Sequence, residues 1–160
     1  MAKAIRRSIL FMLSALGAAC GADPGTPTTS DSMSAMLDEA TSENVRHLEA
    51  CRHAASLSEM LSDVTRHELD MNALVTQMTE ASGQMRTDTT KGQSCSGPAL
   101  DQMSQALTDT KAEMALHAKR MLAVDNLGAG QYECAVHSSE LRKKLASMTD
   151  DMGSMSCVVR

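Results

Sequence analysis

The chain of 160 residues carries 15 basic and 20 acidic side chains, so its formal net charge is −5. An acidic protein lacks the positive surface that attracts nucleic acid phosphates, which argues against a nucleic acid partner. With one Tyr, one Phe and no Trp, it also lacks the aromatic platform on which bases or sugars stack. The length is enough for one small domain.

The amino terminus has the pattern of an export signal. Lys3, Arg6 and Arg7 precede an apolar stretch over residues 9–16, which is too short for a permanent membrane span. The stretch ends in the letters LGAAC, whose cysteine is Cys20. This arrangement resembles the signal peptide and lipobox of bacterial lipoproteins, although a glycine occupies the position three before the cysteine, where that family usually has leucine.

The resemblance implies that residues 1–19 are a signal peptide that is removed, and that Cys20 is lipidated. Three acyl chains on Cys20 would anchor the protein stably to a membrane. The next residue is Gly21 and not Asp, which by resemblance implies the outer membrane, facing the periplasm or the cell surface. Ordinary secretory cleavage after Ala19, without a lipid, is the alternative.

Residues 20–31 are predicted to form the lipidated cysteine and a flexible linker after it. Two prolines, glycines and small polar residues in this segment resist helix formation. Removal of the leader takes away three of the 15 basic residues and no acidic one, which leaves 12 − 20 = −8. This charge argues against electrostatic binding to an anionic leaflet. We therefore expect the protein to be attached to the membrane by its lipid alone.

Helix-forming residues dominate the remainder, which predicts an all-α domain over residues 32–157. The predicted helices cover about 32–54, 58–85 and 98–124, and a fourth that ends near Met155. Pro98 suits the first position of the third helix. The polar stretch 86–97 predicts a loop, and Asp125, Asn126, Gly128 and Gly130 predict a turn. Short connections of this kind favour an antiparallel up-down four-helix bundle.

The junction near residue 55 decides the number of helices. Ser56 and Glu59 have the spacing of a capping box, which predicts that the second helix begins there. No Gly or Pro marks the junction, so a long continuous first helix in a three-helix bundle is the alternative.

Four cysteines follow Cys20, and an even number in an oxidising compartment predicts two disulfides. In the four-helix bundle the ends of the helices bring these cysteines together in two pairs. We predict the disulfides Cys51–Cys134 and Cys95–Cys157.

Methionine is the other unusual residue type, with 14 in the chain and twelve of them beyond Cys20. These residues recur at the spacing of the buried helix faces, which predicts that they fill the core. Thioethers also bind Cu(I), so a copper-binding methionine stripe is the alternative.

Each of the five histidines follows an acidic residue by four positions, in the pairs Glu43–His47, Glu49–His53, Asp63–His67, Glu113–His117 and Glu133–His137. Helical i,i+4 pairing within one helix explains this spacing without a function. The acid-x-x-Arg-His sequences at three of these sites also suggest an internal duplication. The functional hypothesis is a ligand site, because a carboxylate that binds one imidazole nitrogen leaves the other free to ligate a metal.

His47, His67, His117 and His137 come one from each predicted helix and lie at a similar height along the bundle, at 1.5 Å per residue. Four imidazoles at one level could bind copper or zinc, or supply the axial ligands of haem. The absence of a CxxCH motif argues against covalently attached haem, and the absence of an ExxH pair argues against a ferritin-like di-iron site.

The sequence contains no Gly-rich phosphate loop and no convincing nucleophile–histidine set, so we do not expect an enzyme. The leading hypothesis is a lipid-anchored, non-enzymatic binding module of the cell envelope, whose ligand is a transition metal, haem or another envelope protein. The alternative is a structural or interaction lipoprotein, or a spacer, that holds no metal. The sequence leaves the oligomeric state open.

Overall fold

The computed structural model describes residues 29–87 and 93–159, with side chains over 30–86 and 97–155. Four helices make up nearly all of it: α1 Thr29–His53, α2 Leu57–Thr87, α3 Pro98–Met121 and α4 Leu127–Ser154. The predicted signal peptide, Cys20 and most of the predicted linker lie outside the described residues. Within the described part, none of the helices has the length and apolarity to cross a bilayer.

The helices form the predicted antiparallel up-down bundle. Each helix packs against the next in the chain, and α1 also packs against α4, so the four enclose a common core. The chain reverses between α1 and α2 over residues 54–56. Ser56 Oγ accepts a hydrogen bond from the Glu59 N–H at 3.2 Å, and the Glu59 carboxylate accepts one from the Ala55 N–H at 2.9 Å. These caps satisfy free N–H groups at the start of α2. The continuous first helix is therefore wrong.

The start of α4 differs from the prediction. We expected Gly128 and Gly130 in a turn, but α4 begins at Leu127 and both glycines are helical. Asn126 caps the helix, because its side chain accepts a hydrogen bond from the Ala129 N–H at 2.9 Å. A Cβ atom at Gly130 would lie 2.6 Å from Met60 Sδ. Close packing against α2 therefore explains this glycine.

Two short strands that were not predicted close the opposite end. The predicted loop 86–97 contains strand β1 Gln93–Ser96, which pairs antiparallel with β2 Ser156–Val159 after α4. The register places Cys95 directly opposite Cys157. Their side chains lie outside the part of the chain whose side chains are described, so the Cys95–Cys157 disulfide stays a prediction.

The interior confirms methionine as a core residue. Nine of the twelve methionines beyond Cys20 are buried and the other three are partly buried.

The buried apolar residues form two separate clusters. A large cluster extends toward the β1–β2 end and includes Met71 and Met114, and a smaller one around Cys51 and Cys134 lies at the other end. The gap between these two clusters is occupied by histidine.

Candidate metal centre

One layer of the bundle consists of four imidazoles. His47, His67, His117 and His137 come from α1, α2, α3 and α4, and each is at most 1% exposed. On every helix the histidine lies between a residue of the large apolar cluster and a residue of the small one. We call these four residues the histidine layer. The fifth histidine, His53, is exposed and contacts Glu49 on its own helix at 3.4 Å.

The rings of the histidine layer form two stacked pairs. His47 and His67 have centroids 3.9 Å apart with planes inclined by 6°, and His117 and His137 have centroids 3.9 Å apart with planes inclined by 7°. Between the pairs the rings meet edge to face, with centroid distances of 5.5–6.0 Å. Such direct ring contacts leave no slot for a porphyrin, so the haem expectation does not fit this layer.

Carboxylates lie behind the imidazoles, and they reach across to the neighbouring helix. His47 Nδ1 is 2.8 Å from an oxygen of Asp63 on α2, and His67 Nδ1 is 3.1 Å from Glu43 on α1. His137 Nδ1 lies 3.6 Å from Glu113 on α3. For these pairs the expected same-helix partners are wrong. An acid one turn before a histidine projects toward the groove between adjacent helices, so it meets the histidine of the other helix.

Arginines that were missed from the sequence bind these acids. Arg46 forms ion pairs with both Glu43 and Asp63, and Arg66 forms one with Asp63. Arg120 lies 3.6 Å from Glu113 and 3.2 Å from Glu133. Four carboxylates and three guanidinium groups therefore surround the four imidazoles. With neutral imidazoles, this arrangement has a net negative charge, which favours a bound cation.

The two halves of the layer repeat one another. His47 and His117, His67 and His137, Glu43 and Glu113, and Asp63 and Glu133 are each separated by 70 positions. The α1–α2 hairpin and the α3–α4 hairpin thus contribute matching sets of two imidazoles and two carboxylates. This 70-residue spacing was the signal in the sequence that would have identified the four carboxylates as one group.

Burial keeps three of the four imidazoles neutral. Burial, together with the neighbouring imidazoles of His67 and His117, lowers the pKa of His47 from 6.5 to about 2. Burial also lowers the pKa of His117 and of His137 to about 3, with the other imidazoles and Arg120 acting in the same direction. Neutral imidazole is the form that ligates metal ions.

The carboxylates behind α1 and α2 respond to two opposing effects. Burial raises the pKa of Glu43, but its hydrogen bonds with His67 and Arg46 outweigh burial, so the net pKa is lowered. At Asp63 burial prevails over the attraction of Arg46, and the pKa is raised. Glu43 is therefore held as a carboxylate that accepts a hydrogen bond from His67 Nδ1.

Two nitrogens face each other in the centre of the layer. His67 Nε2 and His137 Nε2 are 3.4 Å apart. A neutral His67 that donates its Nδ1 proton to Glu43 has a lone pair on Nε2. If His137 carries its proton on Nδ1, two lone pairs meet. If it carries the proton on Nε2, its Nδ1 lone pair faces the Glu113 carboxylate 3.6 Å away. A cation ligated by both Nε2 atoms removes the repulsion in the first case. In the second case the proton of His137 must move from Nε2 to Nδ1, where it faces the Glu113 carboxylate, and the cation then takes its place.

The spacing itself is that of two ligands on one ion. Two imidazole nitrogens at about 2.0–2.1 Å from a tetrahedral Zn²⁺ are about 3.3–3.4 Å apart, and the observed distance is 3.4 Å. His117 is buried and neither of its ring nitrogens has a hydrogen-bond partner. Four-coordination requires His47 and His117 to tilt out of their stacks, since two parallel rings cannot both point edge-on at one ion. His117 has no hydrogen bond that opposes this rotation.

A disulfide lies directly beside the layer. Cys51 and Cys134 form the predicted bond between α1 and α4, with Cα atoms 6.4 Å apart. Cys51 Sγ is 3.7 Å from His47 Nε2 and 3.8 Å from His47 Nδ1. A nitrogen of His47 and both sulfur atoms lie within 4.8 Å of one another.

Comparison of the chain with protein families, with curated proteins and with solved structures finds no match. The geometry of the histidine layer is therefore the basis for assigning a function.

Proposed function

We propose that this protein is a non-enzymatic, lipid-anchored module of the cell envelope that binds one transition metal ion, zinc or copper, in its histidine layer. The observation that carries the proposal is the 3.4 Å contact between His67 Nε2 and His137 Nε2, two buried nitrogens with carboxylates behind them. Carboxylate–histidine–metal arrangements of this kind fix the tautomer and strengthen the ligand. Imidazole nitrogens suit zinc and copper rather than magnesium or calcium.

The surrounding charges support a bound cation. The four carboxylates outnumber the three guanidinium groups, so the layer with neutral imidazoles is negatively charged. The unpartnered His117 supports the same conclusion, since a buried polar group without a partner costs about 1–3 kcal/mol and a metal ligand role removes that cost.

A surface groove between α1 and α2 supplies an entry route. Glu39, Glu43, Arg46 and Asp70 are among the residues that line it, so three carboxylates line the groove around one arginine. Glu43 also contacts His67 on the inner side. Glu43 therefore links the groove to the histidine layer. The imidazoles themselves are buried, which supports storage or binding of an ion rather than catalysis on a larger substrate.

Metal uptake by the oxidised protein tests this proposal. The domain without the leader and Cys20 is stripped with a chelator and titrated with Zn²⁺ and Cu²⁺ by calorimetry. We expect one ion per chain with micromolar or tighter affinity. His67→Gln/His117→Gln should abolish uptake, while His53→Gln, which alters the exposed histidine, should retain it. A folded wild-type domain that takes up neither ion contradicts the proposal and favours the structural or interaction lipoprotein.

The anchor is tested separately. The full chain is expressed in a Gram-negative host that is fed radiolabelled palmitate. We expect label in the protein and recovery in the outer-membrane fraction, and loss of both in Cys20→Ala. Label that persists in Cys20→Ala, or an unlabelled wild-type protein in the soluble fraction, contradicts lipid anchoring.

A further inference from the structure

The disulfide beside the histidine layer has the composition of a second metal site. We propose that reduction of Cys51–Cys134 creates a thiolate site, in which both cysteine sulfurs and His47 bind a soft or borderline ion such as Cu(I) or Zn²⁺. The proposal goes beyond the proposed function, because it concerns the reduced protein and a sulfur-containing ligand set. It does not require the four-imidazole site to be occupied.

The geometry of the three ligand atoms supports this site. A thiolate sulfur at about 2.3 Å and an imidazole nitrogen at about 2.0–2.1 Å from a tetrahedral ion are about 3.6 Å apart, and two such sulfurs are about 3.8 Å apart. Cys51 Sγ and His47 Nε2 are already 3.7 Å apart. Reduction releases the two sulfurs from their bond and lets them separate to the distance that the ion requires. Because Cys51 Sγ is also 3.8 Å from His47 Nδ1, the imidazole must rotate to direct its Nε2 lone pair at the ion.

The surroundings of the sulfurs favour a metal over two free thiols. Both cysteines are fully buried, in an apolar cluster with Met60, Val64 and Met121. An apolar setting disfavours free thiolates, whereas a bound cation stabilises them by direct coordination. Asp63 holds His47 by its Nδ1 at 2.8 Å, so its Nε2 is the nitrogen left for the ion.

The position near the end of the bundle gives a route to reduction. Cys51 is in the last turn of α1, just before the reversal at residues 54–56. Helix ends open locally more readily than helix centres. A dithiol reductant then breaks the S–S bond, supplies two electrons and two protons, and leaves as its own disulfide. Binding of the ion displaces the two thiol protons to solvent, so atoms and charge balance.

Cobalt(II) is the probe, because thiolate ligation gives a sulfur-to-cobalt charge-transfer band in the near ultraviolet that nitrogen ligation does not give. The protein lacks Cys20 and carries Cys95→Ser/Cys157→Ser, so that only one cysteine pair remains. It is reduced with a water-soluble phosphine, which is itself oxidised and leaves no competing thiol. We expect no band before reduction and a band that saturates at one Co²⁺ per chain after reduction.

Two variants separate this proposal from the proposed function. Cys51→Ser/Cys134→Ser should lose the band but keep metal uptake by the oxidised-state imidazole site. His67→Gln/His117→Gln should keep the band, although it loses the imidazole site. The proposal is overturned if the reduced protein has two titratable thiols and helical circular dichroism but no band. It is equally overturned if the reduced chain unfolds even with Co²⁺ present, because the site needs a folded bundle.

Discussion

Acid should destabilise the metal-free bundle between about pH 7 and pH 5. Three imidazoles of the histidine layer are neutral in the folded state, because burial lowers the pKa of His47 to about 2 and those of His117 and His137 to about 3. In the unfolded chain the same groups titrate near 6.5. The unfolded state therefore binds more protons between these values, and stability falls as the pH falls.

The magnitude follows from that difference. The stability that a buried neutral histidine contributes is present above the unfolded pKa and is lost as the pH falls toward the folded pKa. Between pH 7 and pH 5 each such group removes about 2 kcal/mol, so three remove about 6 kcal/mol. A domain of this size has a total stability of about 5–15 kcal/mol. The lowered pKa of Glu43 removes further stability at lower pH, and the raised pKa of Asp63 acts in the opposite direction.

The assay is urea denaturation followed by circular dichroism at pH 7, 6 and 5, with a chelator present. We expect the free energy of unfolding to fall by about 6 kcal/mol over this range. His117→Leu removes one titrating group that has no hydrogen-bond partner, so the fall should shrink by about 2 kcal/mol. His53→Leu, at an exposed position, is the matched control and should leave the fall unchanged. Equal stability at pH 7 and pH 5, or an unaltered fall in His117→Leu, would refute the argument.

Three further substitutions test the packing and the carboxylates. Gly130→Ala should lower the free energy of unfolding by about 1–2 kcal/mol, because the new Cβ would lie 2.6 Å from the sulfur of the fully buried Met60. Gly83→Ala should instead raise it by about 0.5–1 kcal/mol, since the new Cβ would lie in open space. Thermal and urea unfolding measure both, and a stabilising Gly130→Ala would contradict the close contact. Asp63→Asn should weaken zinc binding by about 10–100-fold, as measured by competition with a chromophoric chelator. Asp70→Asn is its control, because Asp70 contacts Arg46 but no imidazole, and an equal loss in both variants would count against a role of Asp63 behind His47.

The sequence predicted the bundle and the position of the histidine layer for one physical reason. Helices have a fixed rise, so the height of a residue follows from its distance to the nearest turn. Once Ser56 and Glu59 marked the reversal near residue 55, the four imidazoles had to lie at a common level. The same reasoning placed Cys51 opposite Cys134.

The details that the sequence did not give depend on the rotation of each helix and on the reach of individual side chains. The i,i+4 spacing predicted that each acid binds the histidine of its own helix, but Asp63 binds His47 and Glu43 binds His67 across the groove. Arg46 escaped notice because its second partner is 17 positions away on another helix.

Local propensity was also overruled by packing in two places. Glycine in the first turns of α4 resembles a loop in the sequence, but Asn126 caps the helix and Gly130 makes room for Met60. The strands β1 and β2 are only four residues each and are 60 residues apart along the chain. Their pairing becomes evident only once α2, α3 and α4 bring those ends together.

X-ray absorption spectroscopy of the zinc-loaded, oxidised domain tests the metal centre most directly. We predict a first shell of four nitrogens at about 2.0–2.1 Å, with the outer-shell scattering of imidazole and no sulfur. A zinc ion surrounded by oxygen ligands alone, or a folded domain that retains no zinc after desalting, would contradict the assignment of the histidine layer as a metal site.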